Sequence, residues 1–151
     1  MEQAALIVAF ADLAALPSTR EFVSEWLAID QSMIDAFAVA TGDLNPVHTA
    51  PALAPARGRT TIAHGFLTLS LLVQLSEHSI KFVATQGCNY GFDRLRFTSP
   101  VPADSRVRLR QQIVSATPRR DGVLLKRRVT LEIWGQEKPA LAGDWLTLVY
   151  P

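Results

Sequence analysis

Only one cysteine, Cys88, occurs in the 151 residues, so no internal disulfide can form and a framework of the secreted type is excluded. Charge of one sign is also lacking. Fifteen basic residues stand against fourteen acidic ones, a formal net charge of +1, which leaves no field to draw the chain toward nucleic acid or an anionic membrane. No run is long and apolar enough to span a bilayer. The opening "MEQAALIVAFADLAALP" has no basic start and is interrupted by Asp12, so it reads as a short helix or strand of the fold rather than a signal peptide. Repeats and low-complexity tracts are missing too, which removes solenoids and disordered tails. The expectation is a cytoplasmic protein with neither nucleic-acid nor membrane partners.

What is present is a core. A hydrophobic fraction of 48% in a chain of this length suits one domain over 1–151 and is too little for two. In "DQSMIDAFAVATG" the apolar Met33, Ile34, Phe37 and Ala40 or Thr41 recur at helical spacing, with Asp30 or Ser32 to cap the start and Gly42 the end. From Asp43 to Thr61 the pattern dissolves into an irregular segment rich in proline, of a length that is usually functional in compact domains. The helix predicted over "AHGFLTLSLLVQLSEHS" is apolar on nearly every side, apart from Ser70, Gln74 and Glu77, and so is expected to be almost wholly enclosed.

After Thr85 the period changes to two. Val107, Leu109 and Ile113 alternate with Arg106, Arg108 and Arg110, and Val129, Leu131 and Ile133 alternate with Arg128, Thr130 and Glu132. "NYGFDRLRF" and "ALAGDWLTLVY" are strand-like as well, and Asp121-Gly122, "GQEKP" and "SPVPADS" supply the turns. Helices followed by consecutive strands make an α+β domain, an antiparallel sheet curled around one apolar helix. Its open sheet edge favours self-association.

Chemistry concentrates in "TGDLNPVH", residues Thr41 to His48. Gly42 stops a helix, Pro46 stiffens the turn, and the bend can bring Asp43 and His48 to one space, where carboxylate and imidazole would hold a water and move its protons in opposite directions. An ordinary helix ending followed by an Asn-Pro turn accounts for the same residues. In "AHG", Gly65 opens the apolar helix, where a free N–H and the positive end of the helix dipole can polarise a carbonyl; tight helix packing explains that glycine equally well.

Taken together, "FAVATGDLNPVH", the following Ala54 and "TIAHGFLTLSLL" resemble the hydratase-2 motif of the MaoC-like dehydratases, the (R)-specific enoyl-CoA hydratases of the hot-dog fold. "CNYGFDRLRFTSPVPADSRVRLR" and "KPALAGDWLTLVY" are similar to the single-domain branch related to nodulation protein N. The resemblance implies one hot-dog domain, a homodimer, and hydration of trans-2-enoyl-CoA to (3R)-hydroxyacyl-CoA in fatty acid metabolism. It implies Asp43 and His48 as the water-activating pair, Gly65 as the oxyanion donor, and Asn45 as the residue ordering the loop. Asn45, His64, Phe66 and Leu67 are the candidates for substrate contact. Ala50 stands where the family often carries an acid, and Ala40 where a glycine or larger aliphatic is usual, so the fit to the acyl chain is expected to be this chain's own.

No cofactor is implied, coenzyme A being part of the substrate, and the three histidines and one cysteine show no zinc-ligand spacing. Acyl-CoA, or an acyl carrier protein bearing the same thioester, is the implied partner. Arg94, Arg96, Arg106, Arg108 and Arg110 could meet the phosphates of coenzyme A, although a solvated sheet face explains them too. A hot-dog acyl-CoA thioesterase and a noncatalytic acyl-thioester-binding subunit are the competing readings; the first requires a carboxylate beside the long helix, where Glu77 is the one acid and lies far from the helix start.

Overall fold

The computed structural model describes residues 5–17, 19–53, 60–83 and 86–151, apart from the side chain of residue 53; the expectation attached to Ala54 lies outside them. The two-residue alternation produces four long strands, β5 (Gln86–Phe97), β6 (Ser105–Arg119), β7 (Gly122–Ile133) and β8 (Leu141–Tyr150), after the short β1 (Leu6–Ala9), β2 (Glu21–Val23), β3 (Leu27–Ile29) and β4 (Ile80–Val83). The long strands pair antiparallel in the order β6-β7-β8-β5, with β2 and β3 continuing the sheet on the far side of β6. Arg119 pairs with Gly122 across the first hairpin, so its two-residue loop is Arg120-Asp121. A side chain at Gly122 would stand 2.4 Å from the Val149 carbonyl oxygen, which is why glycine follows the aspartate.

The sheet curls around α3 (Gly65–Glu77). Leu67, Leu71, Leu72 and Leu75 pack there against Ile29, Val107, Leu109, Val129, Leu131 and Trp145, each buried leucine contributing about 1.5–3 kcal/mol. This is the hot-dog arrangement expected from the sequence. Two details differ. The helix is not wholly enclosed, because Phe66, 69% exposed, and Val73 lie on an open stripe with Ser70, Gln74 and Glu77. Also, β1 pairs parallel with β4 as a separate two-stranded sheet, a pairing that the long crossover between them permits. Cys88 is half-buried on β5.

Helix α1 (Gln31–Thr41) begins and ends where its residues dictate. The Asp30 carboxylate accepts from the Ser32 hydroxyl at 2.7 Å and from the Met33 N–H at 2.8 Å, and these bonds hold its carboxyl below the ordinary 3.8. Gly42, at φ +77°, ends the helix in the left-handed conformation and donates its N–H to the Ala38 carbonyl. Ile34 and Ala38 form the buried stripe, and Met33 and Phe37 flank it half-buried.

A bulge shapes the end of β5 nearest the site. Asp93 pairs with Asp144 and Arg96 with Ala142, so Arg94 and Leu95 together oppose Gly143. Arg94 takes φ +52° there and donates to Asp144. Asp144 is 2% exposed. Desolvation pushes its carboxyl up, but Arg94 and then Lys126 pull harder, and the net position is below the ordinary 3.8. A side chain at Gly143 would meet the Leu95 Cα at 3.0 Å.

Replacing Gly143 with alanine should therefore force backbone apart and cost about 1–3 kcal/mol in urea unfolding at neutral pH. Because the folded-state pKa of Asp144 is depressed, its contribution is present above the ordinary value and lost as pH falls through the folded one. Unfolding midpoints followed downward from pH 5 should decline less steeply in Asp144→Asn than in the unaltered protein.

Candidate active site

The segment after α1 is not structureless. Asn45 accepts the Val47 N–H on Oδ1 at 3.1 Å and Pro46 takes the first helical position, so Pro46–Thr49 forms a short helix, α2, followed by a 3-10 turn over Pro51–Leu53. Asn45 is thus the cap that sets the turn carrying His48. Asp43, two residues before it, accepts the Asn45 N–H on Oδ1 at 3.4 Å, and its side chain is 54% exposed.

His48 is held from both directions. Its Nδ1 lies 2.7 Å from the Ile62 carbonyl oxygen; a carbonyl only accepts, so Nδ1 carries a proton, and the neutral form of the ring therefore presents its lone pair on Nε2. The N–H of Ile62 in turn donates to the Val47 carbonyl at 3.1 Å. Gln31, at the start of α1, donates to the His48 carbonyl at 2.8 Å and accepts from the Thr61 hydroxyl at 2.5 Å. Neither Gln31 nor Thr61 was legible as part of the site.

His64 lies beneath this arrangement. It is 3% exposed, its ring stacks on that of His48 with centroids 3.8 Å apart, and its Nε2 lies 3.0 Å from the backbone carbonyl of Asp43. Its Nδ1 is buried without a partner among the described residues. One carboxylate oxygen of Asp43 and one ring nitrogen each of His48 and His64 fall within 4.8 Å of one another. That spacing suits a water making two hydrogen bonds of about 2.8 Å. It suits a shared metal ion poorly, because the stacked imidazoles keep their lone pairs in nearly parallel planes that do not converge on one point.

A cleft of about 260 Å³ opens beside His48, lined also by Ile62, Gly65, Thr68, Phe97 and Val101. Gly65 begins α3 and His64, the cap residue, offers no side-chain bond to the first turn, so that turn keeps donors free for a ligand. The ring of Phe97 packs over Gly65, where a Cβ would come within 3.2 Å of it. Phe97, half-exposed at the end of β5, was not expected in the site. Of the candidates for substrate contact, Leu67 belongs to the core and Phe66 stands on the open stripe of α3 against the edge of Phe97; neither lines the cleft, nor does His64. Among the arginines, Arg94 is engaged by Asp144, Arg108 and Arg110 by Glu132, and Arg106 lies over the Trp134 ring at 4.1 Å.

Residues 14–133 match the MaoC like domain. The chain belongs to that family. It is 40% identical over 146 residues to Nodulation protein N of Rhizobium meliloti (strain 1021), covering 93% of this chain and 91% of that protein. It is 38% identical over 138 residues to 3-hydroxyacyl-thioester dehydratase Z of Mycobacterium tuberculosis (strain ATCC 25618 / H37Rv), covering 89% and 91%. Among solved structures, unliganded R-hydratase PhaJ1 from Pseudomonas aeruginosa matches with a TM-score of 0.71 at 23% identity, over 91% of this chain and 84% of that one. At that identity the likeness shows the fold. Within this MaoC-like domain, no helix among the described residues is long and apolar enough to cross a membrane.

The carbonyl contacts dictate opposite tautomers for the stacked rings. Nitrogen-15 spectra of the imidazoles, recorded above the histidine titration range, should show the proton on Nδ1 of His48 and on Nε2 of His64. A His48 ring protonated on Nε2 alone would contradict the assigned geometry.

Proposed function

We propose that this chain catalyses reversible, (R)-specific addition of water to a trans-2-enoyl thioester, giving the (3R)-hydroxyacyl product. The observation that carries this reading is the approach of the Asp43 carboxylate to the His48 imidazole beside a cleft that His48 shares with Gly65. The family membership and the dehydratase relative support it.

In this reading the thioester oxygen accepts from the Gly65 N–H, which draws electron density from the double bond and leaves the β carbon electrophilic. Asp43 and His48 hold the water. Its oxygen bonds to the β carbon while one of the pair takes its proton, and the dyad returns a proton to the α carbon, so atoms and charge balance without a cofactor beyond the coenzyme A of the substrate. Asn45 fixes the turn that bears His48, and His64 positions both members of the dyad without touching substrate. An acyl carrier protein bearing the same enoyl thioester is an equivalent substrate carrier.

The active form is proposed to be a homodimer. Among the described residues strand β5 pairs only with β8, and Tyr90 and Phe97 are exposed on it; an unpaired edge of this length invites a second copy. Glu77, the acid a thioesterase would need, lies at the opposite end of α3 from Gly65.

Incubation with crotonyl-CoA tests the reading. Loss of the conjugated enoyl-thioester absorbance without release of free thiol is expected, and Asp43→Asn and His48→Gln should each lower kcat by about 10²–10⁴-fold. Thiol release would indicate a thioesterase, and saturable binding without either change would indicate an accessory subunit; both outcomes overturn the proposal.

A further inference from the structure

Away from the cleft, the core holds a cation with no anion beside it among the described residues. Arg127, midway along β7, is 3% exposed. Its Nη1 donates to the Ser76 hydroxyl at 2.8 Å and to Gln111 Oε1 at 3.3 Å, and its Nη2 donates to the Thr147 hydroxyl at 2.6 Å. The Trp145 ring covers the guanidinium at 3.6 Å, and Nε has no partner among the described residues. Every one of these neighbours is neutral. Burial pulls the group's pKa down to about 9, so it is still charged at neutral pH. A buried charge without a counter-ion is strongly unfavourable, and an anion supplied from outside is a direct remedy.

Room for one exists. Arg127 forms part of the wall of a second cavity, of about 280 Å³, together with Ser76, Gln86, Asn89, Trp145 and Thr147. The exposed Glu77 and Lys81 also line it, one charge of each sign. Two elements connect this cavity to the cleft. Helix α3 gives Gly65 and Thr68 to the cleft and Val73 and Ser76 to the cavity, while β5 gives Phe97 to the cleft and Gln86, Gly87 and Asn89 to the cavity. Along the same two elements, Leu69, Phe92 and Leu95 are apolar and half-buried. Gly65 and Ser76 are about 16 Å apart along the helix axis at the standard rise.

We propose that the second cavity receives a carboxylate against the Arg127 guanidinium, carried on the far end of an acyl chain whose thioester lies at Gly65. The position of the thioester rests on the hydratase reading; the anion site rests on Arg127 alone. An apolar chain fits the half-buried residues between the two ends, and a terminal carboxylate fits a buried cation whose partners among the described residues are all neutral.

Hydration of trans-2-dodecenedioyl-CoA measured against trans-2-dodecenoyl-CoA tests the assignment. The diacid should be preferred in kcat/KM by about tenfold or more, as one charge-assisted hydrogen bond provides. Arg127→Met should bring that ratio close to one, and Arg127→Lys should retain part of it. trans-2-Hexenedioyl-CoA, too short to span, should gain nothing over trans-2-hexenoyl-CoA. Equal use of the long pair, or a preference independent of length or of Arg127, overturns the proposal; should Arg127→Met not fold, the length comparison in the unaltered protein decides. Should no enoyl thioester be hydrated at all, the hydratase reading falls and affinity for saturated dodecanedioyl-CoA against dodecanoyl-CoA takes its place, equal affinities overturning the site. Glutarate that raises Tm in an Arg127-dependent way, without any chain-end preference, would show a free anion site and overturn the far-end assignment.

Discussion

Two hydrogen bonds across a single residue hold the candidate site together. Ile62 donates its N–H to the Val47 carbonyl and accepts on its own carbonyl from the ring of His48. A four-residue helix such as α2 has no cooperative stability of its own, so the orientation of His48 depends on this strap and on the Gln31 side chain that grips the same backbone. The strap also does chemical work. By fixing the proton on Nδ1 it leaves Nε2 as the nitrogen able to accept one.

The same strap ties the turn bearing His48 to Gly65, the proposed oxyanion donor. Ala63, next in sequence, donates to the Val101 carbonyl at 2.8 Å, and Ile62 forms a bridge with Pro102, which anchors the approach to α3 against the connection between β5 and β6. Gly65 follows two residues after Ala63. On the opposite wall, the bulge at Arg94 and Leu95 redirects the end of β5, and Phe97 closes over Gly65. The sheet thus positions one side of the cleft and the strap the other, while the leucines of α3 keep the two in register.

Much of this was legible before any coordinates. Alternation located the long strands, Asp30 or Ser32 at one end and Gly42 at the other bounded α1, and the motif from Gly42 to His48 drew attention to Asp43, Asn45 and His48. What escaped was long-range or two-sided. Gln31 reaches His48 across a sequence separation of 17 with no local pattern to announce it, and Phe97 enters the cleft because of a bulge that strand periodicity cannot encode. The enclosure of α3 was overestimated because composition around a helix does not say which side remains open, as Phe66 and Val73 show. Arg127 did leave a signal: continuing the inward-facing positions Ile133, Leu131 and Val129 back along the strand reaches Arg127 and then Leu125, which puts a charge on the buried face.

The most direct measurement is a crystal structure of the Asp43→Asn variant with crotonyl-CoA bound. The thioester oxygen should lie within hydrogen-bond distance of the Gly65 N–H, with the β carbon facing His48 Nε2 and Phe97 moved aside or packed along the acyl chain. A thioester seated away from Gly65, or a β carbon out of reach of His48, would contradict the mechanism proposed for this fold.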